Sequence, residues 1–166
     1  MRHIIILGVG NILFSDEGVG IQVVQALSEE YSFSDNVSIE DGGVLGIRLL
    51  GIISQADDLV VVDAIRNGGP PGTLYRLDGD AIPKRILAKN SLHQVDLLEA
   101  LTLCQALDKV PETVIIGVEP LDIETIGLEL TGPIQEKVEG LKAMTLRELD
   151  RLGAGYARKG SSLSCA

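Results

Sequence analysis

The 166 residues are 45% hydrophobic, enough for the core of one compact domain, and 24 Asp and Glu against 14 Lys and Arg give a formal net charge of -10. That balance excludes the basic footprint of a nucleic-acid or anionic-membrane binder, and no apolar run approaches the roughly 20 residues that span a bilayer. Cys104, within an apolar helical pattern, and Cys165, next to last, supply neither a disulfide framework nor a CxxC metal spacing.

Residues 3–7, HIIIL, are a short apolar run ending in glycine, the pattern of a strand buried on both faces of a parallel sheet. No small-residue cleavage site precedes it, so the protein is expected to stay in the cytoplasm. Val19, Val23, Val24 and Leu27 recur at helical spacing with polar residues between them, which predicts an amphipathic helix. VSIEDGG from Val37 predicts a second strand, and Leu45, Leu49, Leu50 and Ile53 share one face of a second helix. DLVVVDAI is the most apolar strand and carries an acid near its end, Asp63. RNGGPPGT breaks regular structure, since adjacent prolines among glycines continue neither a helix nor a central strand. TLYRL suits a short edge strand, residues 80–91 read as irregular, and Val95, Leu98, Leu101 and Leu107 predict a helix starting near His93. ETVIIGVEP is a further strand, residues 121–131 a long connection, and PIQEKVEGLKAMTLRELDRL one closing helix opened by Pro133. A single domain of residues 1–153 is therefore expected, with the Gly/Ser-rich residues 154–166 as a disordered tail. Strands alternating with helices predict an α/β fold. It would be a three-layer sandwich with a twisted, mostly parallel sheet of about five strands between helices.

Ligands in such folds bind outside the carboxyl ends of the strands. Asn11, Asp16, Glu17, Asp41, Asp63 and Glu119 all fall there, and His93, at a helix start, faces the same rim. His3 begins a strand at the opposite edge and is discounted. Gly8 and Gly10 match the first two positions of a dinucleotide fingerprint, but Leu13 occupies the third. Asp16 and Glu17 would also repel a pyrophosphate at the helix N-terminus. SDEG by itself is equally an N-cap followed by first-turn acids. Asp63 differs, because a carboxylate directly after LVVV enters a poorly solvated place and needs a partner to stay ionised. Two carboxylates and an imidazole converging on one rim fit a metal site, and a ring of solvated acids is the plainer alternative.

The segments ILGVGNILFSDEGVG, EDGG, VVVDAI, PGT, SLHQ and IIGVEP, in this order, resemble the hydrogenase maturation endopeptidases. These enzymes remove a C-terminal extension from the large-subunit precursor of nickel-iron hydrogenases. The resemblance implies Glu17, Asp63 and His93 as metal ligands, with Asp16 as the alternative one residue from Glu17, and Asp41 of EDGG as a functional residue at the cleft. It implies that the ion is Ni2+ already inserted in the precursor, so that enzyme and substrate share it and the isolated protein is metal-free. Two routes to hydrolysis stay open. The ion polarises the scissile carbonyl or a bound water, or it only docks the substrate while Asp63, Asp16 or Asp41 acts as general base. G-x-S-x-G and H-E-x-x-H are absent and neither cysteine adjoins His93, which argues against a covalent acyl-enzyme and a conventional zinc protease. Gly8, Gly10, Gly42 and Gly43 either clear the rim for an extended peptide or make tight turns. The expected partner is the hydrogenase large-subunit precursor, met by a monomer. A dinucleotide-binding module and a non-catalytic precursor chaperone are the competing readings.

Overall fold

The most apolar runs of the chain become its innermost strands: β1 (Ile4–Val9) and β4 (Asp58–Ala64) are buried at every position. The structure, a computed structural model, describes residues 1–43, 46–79 and 110–160, and for residues 46–49 the backbone only. Leu45, His93, Cys104, Cys165 and the helix expected through Val95, Leu98, Leu101 and Leu107 lie outside the described residues. β1 and β4 belong to a five-stranded sheet with β3 (Val37–Gly43), β5 (Leu74–Asp78) and β6 (Glu112–Val118), in the order β3-β1-β4-β6-β5. β1 runs parallel to β3 and β4, and β4 parallel to β6, whereas β5 lies antiparallel along the β6 edge.

The pleat sends alternate residues to opposite faces. Ile4, Ile6, Val60, Val62, Ile116 and Val118 pack against α1 (Val19–Glu30) and the last helix, α4 (Val138–Arg151). Ile5, Leu7, Leu59, Val61 and Ile115 pack on the other face with Ile53 of α2 (Gly46–Ile53) and Ala56 beyond it. This is the expected sandwich. Among the described residues no helix is long and apolar enough to cross a membrane.

Three expectations are corrected. The closing helix is interrupted: α3 (Gly132–Gln135) makes one turn, the amide of Lys137 donates to Ile134 in a tighter three-residue turn, and α4 restarts at Val138. Residues 154–160 are ordered rather than a disordered tail. β7 (Tyr156–Arg158) pairs antiparallel with β2 (Tyr31–Phe33), and the Tyr156 ring meets Tyr31 edge-on at 5.9 Å. Gly8, expected to clear the rim or make a tight turn, instead lies against α1. A Cβ at Gly8 would overlap Val24 and the Gly20 carbonyl, and one at Gly20 would overlap the carbonyls of Val9 and Val62. These two glycines let α1 sit directly on the sheet.

The edge strand is held by charge: Arg76 of β5 donates to both oxygens of the buried Glu148 of α4, which also receives Arg151. Burial alone would push the Glu148 carboxyl up, but Arg76 and Arg151 outweigh it and hold the carboxyl below its ordinary value. A carboxylate depressed in the folded state contributes stability above its unfolded value of about 4.3, and that contribution is lost as the pH falls through the folded value. Thermal melts of the wild type and Glu148→Gln over the acid range should show a shallower fall in Tm for the variant. Equal slopes would mean that the pair is energetically silent. In an open helix Gly→Ala stabilises by about 1 kcal/mol, but overpacking against rigid backbone costs about 1–3 kcal/mol. Gly20→Ala should therefore lower the urea midpoint, and a raised midpoint would refute the close helix–sheet approach.

Candidate functional site

The chain leaves β1 through Gly10 and returns to the sheet by way of a single 3-10 turn, Ser15–Gly18, that opens directly into α1. Ser15 lies in the left-handed region at φ 49°, a strained choice for a residue with a Cβ. It is held there from outside: its amide donates to Gly127 and its hydroxyl to the Glu129 carbonyl. Gly127 returns a bond to the Leu13 carbonyl, so the turn is laced to the long connection 121–131 by a short parallel bridge.

Asp16 locks this arrangement. It is fully buried, and its Oδ2 accepts the amides of Leu121 and Asp122 at 3.0 and 2.9 Å. Oδ1 accepts the amide of Thr131 at 2.8 Å, and the Thr131 hydroxyl lies within 3.0 Å of both oxygens. A carboxylate offers about four lone-pair sites, and four donors occupy them here. Asp16, expected as a candidate base or as the alternative ligand beside Glu17, thus acts in this structure as a loop clamp. Thr131 stands at the N-cap of α3 without making a cap bond, because its hydroxyl is committed to Asp16.

Glu17, the next residue, is half-buried. Its carbonyl oxygen lies where a Cβ of Gly10 would stand, and Asp63 Oδ1 comes within 3.9 Å of the same point. Gly10 adopts φ 138° and donates its amide to the carbonyl of Gly43, at the end of β3. Three strand ends thus converge on Gly10: the turn bearing Glu17, the carboxyl end of β4 bearing Asp63, and the end of β3 bearing Asp41. Asp63 is 1% exposed and pairs in register with Gly117 of β6. Asp41 is exposed, and its Oδ1 accepts the Gly43 amide at 2.9 Å. Gly10 thus serves the chain's own close approach.

Glu119, another rim acid, is also used internally. Its buried carboxylate accepts the amides of Asn67 and Gly68 at 2.7 and 3.1 Å and the Tyr75 hydroxyl at 2.9 Å, folding the RNGGPPG turn onto the end of β6. Burial and the Glu119 carboxylate both push the Tyr75 phenol above its ordinary value, so it remains a donor. His3 sits where the sequence placed it, bridging Gln55 and Ser38 at the amino ends of the strands. Among the described residues no three His, Cys, Asp or Glu side chains are grouped to hold a metal, and His93, the third expected ligand, lies outside them. Sequence reasoning missed the clamps of Asp16 and Glu119, whose partners lie 44–115 residues away. The only local signal was two adjacent acids in a one-turn helix, which leave it by different sides.

The family model described as HycI, hydrogenase maturation protease, matches residues 21–148. The chain is 38% identical over 162 residues to the hydrogenase expression/formation protein HupD of Thiocapsa roseopersicina, covering 96% of this chain and 73% of that protein. It is 34% identical over 153 residues to the hydrogenase 2 maturation protease of Escherichia coli K12, covering 91% and 93%. The solved structure of the hydrogenase maturating endopeptidase HybD from E. coli superposes with a TM-score of 0.92 at 33% identity, covering 96% of this chain and 99% of that one.

The different uses of adjacent acids are separable by mutation. Asp16→Asn places an NH2 among amide donors and should cost about 2–3 kcal/mol of unfolding free energy, with faster hydrogen exchange at Leu121, Asp122 and Thr131. Glu17→Gln should stay within about 0.5 kcal/mol of the wild type. Equal losses in the two variants would refute the division.

Proposed function

The chain belongs to the hydrogenase maturation protease family and is an endopeptidase that processes the C-terminus of a hydrogenase large-subunit precursor, and we propose that it does so by reading nickel already inserted in that precursor. Glu17, Asp63 and His93 are the residues assigned to the ion, which arrives as part of the substrate. The observation that carries this reading is the convergence of the Glu17 turn and the Asp63 carboxylate on Gly10 at the carboxyl rim. Two carboxylates and an imidazole are hard-to-borderline donors that leave positions on a divalent ion for the precursor's own ligands. A set of three shared ligands implies weak affinity for free metal and cleavage conditional on loading.

The ion supplies Lewis-acid polarisation where the substrate carbonyl and water meet it. On the protein side, the four donors that occupy the Asp16 carboxylate favour a positioning role for it over that of a base. Asp63 lies buried among the strand ends, suited to holding the ion rather than to exchanging protons with solvent. Asp41, exposed and oriented by the Gly43 amide through Oδ1, keeps Oδ2 for the proton of the attacking water. The enzyme works in this reading as a cytoplasmic monomer, its net charge of -10 favouring solubility.

The test is the mass of the precursor before and after incubation with the purified protein. The nickel-loaded form should lose its C-terminal peptide and the nickel-free form should remain intact. Equal cleavage of both, or of neither, would refute the metal-reading step. Glu17→Gln and His93→Gln should abolish cleavage with melting temperatures unchanged. Asp41→Asn should lower kcat while leaving precursor binding intact.

A further inference from the structure

Resting on the protease reading, we propose that Ile12, Leu13, Leu121, Ile126 and Leu128 form the docking surface for the precursor, and that the face it receives is apolar with basic residues around it. These side chains are far more open than their chemistry favours: Ile126 is 80% exposed, Leu128 64%, Leu13 and Leu121 53%, and Ile12 44%. Single exposed apolar residues are ordinary, but five on two neighbouring loops mark an interaction site.

The loops form one surface because they are bonded to each other. Gly127, between Ile126 and Leu128, bridges Phe14 and donates to Leu13, while Leu121 donates its amide to Asp16. The surface is continuous with the candidate site, since Ile12 packs so closely over Gly18 that a Cβ there would lie 2.9 Å from the Ile12 α-carbon, one residue beyond Glu17. It is also preformed. Asp122 Oδ1 accepts the amides of Glu124 and Thr125, both at 2.9 Å, and the Thr125 side chain, with these amides, holds the Asp122 carboxyl below its ordinary value. A loop fixed before binding loses little entropy on binding.

Charge selects the occupant. No Lys or Arg occurs between His3 and Ile47 or between Val110 and Glu136, while Asp122, Glu124 and Glu129 lie within the longer loop. A second copy would set acid against acid. A partner whose apolar patch is ringed by Lys or Arg would gain both burial and attraction, and a protein substrate meeting the adjacent site is the partner placed to do so.

The test uses the full chain carrying Ile126→Asp and Leu128→Asp together, with Leu152→Asp as control, since Leu152 is an exposed apolar residue at the far end of α4. KM is measured for the nickel-loaded precursor, and precursor binding by interferometry on the same variants. The double variant should raise KM and Kd about tenfold or more, as loss of interface anchors does, with kcat and Tm unchanged. Leu152→Asp should match the wild type, and wild-type binding should weaken as salt screens the acidic ring. Unchanged KM and Kd in the double variant would overturn the docking surface while leaving the protease reading intact. So would a wild-type dimer that the double variant splits into monomers. A wild type that binds the precursor through this surface but never cuts it would remove the protease reading and leave the surface.

Discussion

A single buried carboxylate holds the carboxyl rim of the sheet in shape. Among the described residues no cation pairs with Asp16; its charge is met by three backbone amides and one hydroxyl delivered from residues 121, 122 and 131. Such bonds are charge-assisted, and they are offset against the cost of burying an ion. The gain is positional, because the loop that donates the amides has no ladder of its own. Beside the bonds of Ser15, Gly127 and Asp122, one side chain ties it to the 3-10 turn that carries Glu17. A neutral amide at this position would present donors to donors, so the clamp requires an acid.

Glu119 repeats the device on the next strand, gathering the RNGGPPG turn around a second buried carboxylate. The acids at the carboxyl ends of the strands therefore divide by use. Asp16 and Glu119 are spent on backbone amides, Asp41 is half spent on Gly43, and the Asp63 carboxylate approaches Gly10 beside the backbone carbonyl of Glu17. A cluster that reads in sequence as one acidic ring is two structural staples and a smaller set to which the proposal assigns the chemistry. That division also explains how a strained Ser15 is tolerated, since the bonds that hold it belong to the same laced loop.

The central strands were legible because burial on both faces makes a strand a continuous apolar run, as in IIILGV and DLVVVDA. The carboxyl-end rule also placed Asp41, Asp63 and Glu17 at the strand ends where the structure has them. What escaped is non-local. A glycine reveals that space is needed but not by what, so Gly8 suggested room for a peptide when Val24 and Gly20 fill it. Asp16 and Glu17 share every local property, and only a loop more than a hundred residues downstream distinguishes them. The pairing of Tyr31–Phe33 with Tyr156–Arg158 rests on three-residue strands, too short for any periodicity to show, in a segment whose glycines and serines suggest disorder.

In the proposed reading the clamp also links recognition to chemistry. Leu121 and Ile126 stand on the loop that Asp16 ties to the turn of Glu17, so a partner pressed against those side chains is registered against Glu17 through a short, hydrogen-bonded path. A protein substrate offers a large area remote from the scissile bond, and contact energy gained there can be spent on orienting the reacting groups. That use requires a surface that does not yield when the partner lands on it. A loop held only by its own turns would move with the partner and leave Glu17 unplaced, whereas one held by a saturated buried carboxylate transmits the contact to the site.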